Sequence, residues 1–218
     1  FKDTSTLYLE IVDYPGEWLL DLPMLAQDYL TWSRQMTGLL QGQRAEWSMK
    51  WRQLCEGLDP LAPADENRLA VIAEAWTAYL HQCKQEGLHF IQPGRFVLPG
   101  DLAGAPALQF FPWPDVDGIG ESKLAQADKH TNAGMLRERY HYYCEKVVKG
   151  FYKNHFLRFD RQIVLVDCLQ PLNSGPQAFN DMRLALTQLM QSFHYGQRTL
   201  FRRLFSPVID KLLFAATK

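Results

Sequence analysis

Three short apolar runs punctuate the chain. Residues 7–13 (LYLEIVD), 162–168 (QIVLVDC) and 211–216 (KLLFAA) each have the length and composition of a β-strand. Two are nearly continuous in apolar side chains, as in parallel strands covered on both faces. Between the second and third, Phe179, Met182, Leu186, Leu189, Met190 and Phe193 recur at helical spacing after an LNSGP turn that puts Pro176 in the first turn. A second short helix follows in GQRTLFRRLFSP and breaks at Pro207. Strand–helix–strand is the βαβ unit, with a right-handed crossover.

The first two strands are much further apart than the dozen or so residues a crossover requires. The pattern between them is helical, so an insertion is expected there. A helix is predicted over 18–40, disturbed by Pro23, and a second over 45–57, ended by Gly57. The clearest helix opens at Asp65 as N-cap. It carries the stripe Leu69, Ile72, Ala73, Trp76 and Leu80 and stops at Gly87. Residues 91–120 are rich in Pro and Gly and read as irregular chain, 115–134 as polar and mobile. Helix returns from Met135 to about Leu157, with Tyr140, Tyr143, Phe151 and Phe156. No internal repeat is evident.

Composition narrows the class. The 218 residues are 47% hydrophobic and 22% charged, enough apolar material for a sizeable core. A formal net charge of −1 gives no global basic field for nucleic acid. Cys55, Cys83, Cys144 and Cys168 fit no zinc spacing and suggest a reduced, cytoplasmic setting. No stretch reaches the roughly 20 apolar residues of a membrane span. The chain begins at Phe1 and stops at Lys218 after an apolar run, and is expected to be an excerpt of a longer protein.

Chemistry concentrates where the strands end. Asp13-Tyr14-Pro15-Gly16 is a D-x-x-G element at the end of the first run, followed by Glu17. Open α/β sheets bind ligands at the carboxyl ends of their strands. In P-loop nucleotidases an Asp at this point helps hold Mg²⁺. A Gly there lets its amide approach the terminal phosphate without an obstructing Cβ. The next residue, here Glu17, can orient the attacking water. The alternative is plain: strands end, turns use Pro and Gly, and acids favour helix N-termini. Asp167 ends the second run and could line the same face, or serve the turn made with Asn173, Ser174 and Gly175. Thr217 and Lys218 stand where a GTPase carries [NT]-K-x-D, and equally read as an ordinary strand end. Arg198, Arg202 and Arg203 among Leu200, Phe201, Leu204 and Phe205 suit a membrane surface, a partner, or a core-facing helix with a charged outer face. The six His show no metal-ligand spacing.

Longer stretches carry a resemblance. LYLEIVDYPGEWLLDLPML, WSRQM, FPWPDVDG, RFDRQIVLVDCLQPLNSG and SFHYGQRTLFRRLFSPVIDKLLFAATK resemble the YcjX-like family of bacterial stress-associated P-loop GTPases. The resemblance implies an α/β fold: part of a Ras-like P-loop NTPase domain with parallel strands and a large, mainly helical insertion. Residues 1–17 and 161–218 would belong to the nucleotide domain and 18–160 to the insertion. It also implies that Asp13 is the Mg²⁺-linked acid, Gly16 the γ-phosphate amide, and Thr217 and Lys218 the start of a T-K-A-D guanine motif. A water-orienting role for Glu17 follows from its place beside that motif. The G-x-x-x-x-G-K-[ST] loop and the guanine-reading Asp are not in this sequence. The expected ligands are GTP and GDP with Mg²⁺, not nucleic acid, and the expected role is a stress-related switch that hydrolyses GTP. Two other functions fit: a helical module that binds a protein partner with little hydrolysis, and a peripheral inner-membrane stress protein.

Overall fold

The computed structural model describes residues 8–155, 159, 161–195 and 211–217. Its elements are a 3₁₀ helix (Gly16–Ala26), α1 (Tyr29–Gly38), α2 (Gln43–Trp47), α3 (Met49–Cys55), α4 (Glu66–Gln85), α5 (Gly94–Val97), α6 (Val116–Ile119), α7 (Glu121–Ala125), α8 (Asn132–Tyr142), a π-helical segment (Tyr143–Val148), α9 (Lys149–Asn154), β1 (Arg161–Asp167), α10 (Leu169–Ser174), α11 (Pro176–Tyr195) and β2 (Lys211–Thr217). Two single 3₁₀ turns fall at Gly100–Leu102 and Pro106–Leu108. This is a mixed α/β chain, mostly helical, with a two-stranded parallel sheet.

Helix α4 forms where its sequence signals lie. Asp65 caps it by accepting from the Arg68 amide at 3.0 Å. Leu69, Ile72, Ala73, Trp76 and Leu80 are all buried, as their spacing predicts, joined by Ala75, Tyr79 and Cys83. Past its end Gly87 takes φ +78°, a left-handed conformation that a side chain resists.

The core is aromatic. Trp32, Trp51, Trp76 and Trp113 are fully buried, with Phe90, Phe110, Phe111 and Tyr143. Trp51 and Trp76 pack with ring centroids 4.9 Å apart, and Phe96 meets Phe110 edge-on at 4.9 Å. Burying one such side chain contributes about 1.5–3 kcal/mol, and a well-placed aromatic pair about 0.5–1.5 kcal/mol more. The same core runs on through Val164, Ala178, Ala185 and Leu189. The buried face of α11 is therefore Ala178, Asp181, Met182, Ala185 and Leu189, while Phe179 and Met190 of the predicted spacing are exposed.

Strands β1 and β2 pair in parallel, in register from Arg161–Lys211 to Asp167–Thr217. In β1, Gln162 and Val164 are buried and Ile163 and Leu165 are exposed, so one face of the ribbon lies open. The first predicted strand is a correction: residues 8–13 have no regular structure, and Tyr8, Leu9 and Ile11 are more than 80% exposed. An apolar run becomes a strand only when another strand takes up its backbone N–H and C=O groups. No described strand lies beside this one.

Five further expectations change. The helix over 18–40 begins instead as 3₁₀ at Gly16, consistent with Pro23 removing a donor, and turns α-helical only after the Asp28 cap. The helix over 45–57 is two helices that meet at Ser48. The LNSG turn is the end of a short helix, α10. The polar stretch 115–134 carries α6 and α7 and buries Val116 and Leu124, with Asp115 capping through the Gly118 amide. The helix expected from Met135 begins earlier, at Asn132, and passes through the π segment. The Arg/Phe stretch at 198–205 lies outside the described residues.

Candidate functional site

The D-x-x-G element leads into the 3₁₀ helix, and the helical region grips it at several points. Tyr14 packs edge-on against Phe151 at 5.5 Å, and the Gln162 side-chain amide of β1 donates to its hydroxyl. Pro15 caps the helix, its carbonyl accepting from the Trp18 amide at 3.1 Å. Gly16 is exposed, and a Cβ built on it would meet nothing within 4 Å. Nothing among the described residues requires a glycine there.

Glu17 does not point into open solvent. Its Oε1 lies 2.7 Å from Nζ of Lys84 in the last turn of α4. A cation at a helix C-terminus is favoured by the helix dipole as well as by the carboxylate. The Glu17 carbonyl is packed against Gly94, where an added Cβ would stand 1.9 Å from it. Only glycine permits that approach. Trp18 donates from Nε1 to the Leu98 carbonyl at 3.0 Å, and the Arg95 guanidinium lies 3.4 Å from its ring centroid. Gln92 donates to the Leu20 carbonyl at 2.5 Å and accepts from Trp32 Nε1 at 3.0 Å.

Asp21, one turn further on, is buried. It accepts from the amides of Gly94 at 2.7 Å and Arg95 at 3.4 Å, and from the Tyr143 hydroxyl at 2.5 Å. Burial pushes its carboxyl up to about 7, opposed by those hydrogen bonds and by the Arg95 charge. A second buried carboxylate, Asp181 of α11, meets the Arg44 guanidinium at 2.5 Å and accepts from the amides of His89 and Phe90 at 2.6 Å each. Arg44 also donates to Tyr79 and to the Phe90 carbonyl. Burial opposes its charge, yet Tyr79, Asp181 and Cys83 hold its pKa above the ordinary value.

A cleft of about 370 Å³ opens between these parts, lined by Gly16, Glu17, Lys84, His89, Val166 and Asp167 among others. The structure thus brings Gly16 and Glu17 to the carboxyl end of β1. Asp167 is in register with Thr217 at the end of β2. Asp167 Oδ1 accepts from the Leu169 and Gln170 amides at 3.2 and 3.1 Å, so its turn chemistry is real whatever else it does. Thr217 and Asp13 are exposed, and Lys218 lies outside the described residues. A single exposed carboxylate beside an open glycine fits an outer-shell contact to Mg²⁺ and cannot form a whole cation site. Among the described residues no three His, Cys, Asp or Glu side chains form a metal cluster. None of their helices is long and apolar enough to cross a membrane.

Asp21, Arg44, Lys84 and Asp181 were not singled out in the sequence. Asp181 did leave a signal: an acid on the helix face shared by Ala178, Met182 and Ala185. Lys84 left none, since its partner lies 67 positions away.

Comparison with known proteins places these features in a lineage. The chain is 92% identical over all 218 residues to the "Ras-like GTPase YcjX" of Escherichia coli (strain K12), covering 47% of that protein. It is 48% identical over 220 aligned positions to the protein of the same name from Shewanella oneidensis (strain MR-1), covering 45%. The chain therefore spans about half the length of the curated relatives it matches. The profile of the YcjX-like family, DUF463, matches residues 1–218 from end to end, and the chain belongs to that family.

Proposed function

We propose that residues 1–17 and 161–218 form part of a guanine-nucleotide-binding domain, that 18–160 are a helical insertion into it, and that the full-length protein is a cytoplasmic GTP-hydrolysing switch of the stress-related kind the family resemblance implies. One observation carries the reading. The Gly16–Glu17 turn and Asp167 line one cleft at the carboxyl end of a parallel strand whose partner ends at Thr217. This is where open α/β sheets bind ligands. The names of the relatives support the nucleotide. The open face of the sheet, with Ile163, Leu165 and Leu213 exposed, suits cover by the rest of a protein about twice this length.

On this reading Asp13 would help hold Mg²⁺ through water, the Gly16 amide would donate to the γ-phosphate, Glu17 would orient the attacking water, and Thr217 and Lys218 would bind the base, with the Lys218 stem along the purine. Mg²⁺ neutralises charge on the β- and γ-phosphates when bound. In full-length protein, Asp13→Ala should weaken Mg²⁺-dependent GTP binding or hydrolysis. Gly16→Ala should weaken GTP binding more than GDP binding, since only GTP presents a γ-phosphate. Isothermal titration with both nucleotides checks this; an Asp13→Ala protein that binds and turns over GTP like the parent would return the element to an ordinary turn. The engagement of Glu17 by Lys84 favours a second reading, a partner-binding module with slow hydrolysis. Single-turnover hydrolysis separates the two.

A further inference from the structure

We propose that Lys84 is a positioning residue for Glu17, neutralising that carboxylate so that it can stand beside a γ-phosphate without repelling it. The inference rests on the nucleotide reading above and names a residue of the helical region as part of the site.

The geometry supports it from both sides. Lys84 Nζ and Glu17 Oε1 are 2.7 Å apart, and both residues line the cleft with Gly16 and Asp167. Neither backbone is free to drift. Lys84 sits on a 20-residue helix anchored by a fully buried stripe. The Glu17 carbonyl is wedged against Gly94, and the next residue, Trp18, is held by Leu98 and Arg95. What the two fixed backbones leave adjustable is the pair of side chains, and Lys84 is the cation that meets Glu17. The two side chains are 38% and 25% exposed, so solvent screens the pair and it can open and close at little cost.

The charges give the pair its function. An unpaired carboxylate beside a triphosphate is a like-charge contact, unfavourable in proportion to the charge it faces. GDP lacks the γ-phosphate, so the penalty falls on GTP alone. Pairing with Lys84 cancels most of it. A neutral glutamine at 17 would need no such partner.

The test is a two-residue cycle in the full-length protein, with GTP-analogue and GDP affinities measured separately with Mg²⁺ present. Lys84→Met should weaken the non-hydrolysable GTP analogue on the order of tenfold and leave GDP within about twofold. Lys84→Arg should restore the parent ratio, and Glu17→Gln in the Lys84→Met background should restore it too. Thermal melts confirm that each variant is folded. Equal weakening of both nucleotides, or no rescue by Glu17→Gln, overturns the positioning role while the nucleotide site stands. Failure of the parent protein to bind either nucleotide overturns the reading beneath it, and the inference with it.

Discussion

Among the ion pairs that join distant parts of this chain, Arg44–Asp181 and Glu17–Lys84 differ in nearly everything. Arg44–Asp181 is sealed: both side chains are about 5% exposed, and Asp181 accepts from two further backbone amides. Glu17–Lys84 stands at the rim of a cleft, a quarter or more exposed, with no other hydrogen bond described for either side chain. A sealed pair cannot open without leaving an uncompensated charge in the core, so it fixes α11 against α2 and the chain at His89 and Phe90. A rim pair exchanges with water at almost no cost. One is a rivet and the other a latch, and the turn that carries the candidate site is held by the latch at its side chain.

The contrast breaks first at the rivet. Asp181→Ala should cost about 3–5 kcal/mol in urea unfolding, because it strands the Arg44 guanidinium and two amides, whereas Glu17→Gln should cost less than about 1 kcal/mol. Similar values for the two would erase the distinction. Next comes the backbone beneath the latch. Gly94→Ala drives a methyl into the Glu17 carbonyl and should cost about 1–3 kcal/mol by the same measurement. A neutral result would mean that the turn is not wedged. The third test concerns a buried carboxylate that makes no salt bridge to a guanidinium among the described residues. Asp21 is met by the Tyr143 hydroxyl and two amides, with Arg95, Tyr140 and Cys144 near it. Its folded pKa of about 7 lies above the ordinary value of 3.8, so its contribution to stability is complete below about pH 4 and is lost as pH rises through 7. The stability of the parent relative to Asp21→Asn should therefore fall across that window, by at most about 1.4 kcal/mol per pH unit, and level off above it. A flat difference would show that the hydrogen bonds outweigh desolvation.

Much of this architecture was legible residue by residue. The Asp65 cap, the α4 stripe and the Gly87 stop are local signals, and local signals survive into the structure. Strands β1 and β2 were legible as apolar runs of the right length, and the long helix between them pointed to a parallel pair. The run LYLEIVD carried the same signal, yet its residues 8–13 form no strand, because pairing depends on a neighbour that no window of sequence contains. Of the candidate site, Gly16, Glu17 and Asp167 were singled out in the sequence and share a cleft. Its grip was not, because Lys84, Gly94 and Tyr143 reach the turn and its helix from 67 to 122 positions away in the chain. A charged residue on a helix surface looks the same whether it meets water or a carboxylate.

The π-helical segment Tyr143–Val148 sets an angle as well as a contact. Before it, the Tyr140 hydroxyl donates to the Met24 and Gln27 carbonyls; within it, Tyr143 reaches Asp21; beyond it, Phe151 lies against Tyr14 and Trp18. One continuous rod thus touches the 3₁₀ helix and its lead-in at three levels. Each residue of an α-helix turns the side-chain direction by about 100°. The widened turn is a phase shift written into the rod, and removing one residue from it would rotate Phe151 by roughly that angle. Tyr140 would keep its place while the aromatic seat of the D-x-x-G turn swung away. The rotational phase of this helix, more than its length, decides whether the turn has a floor.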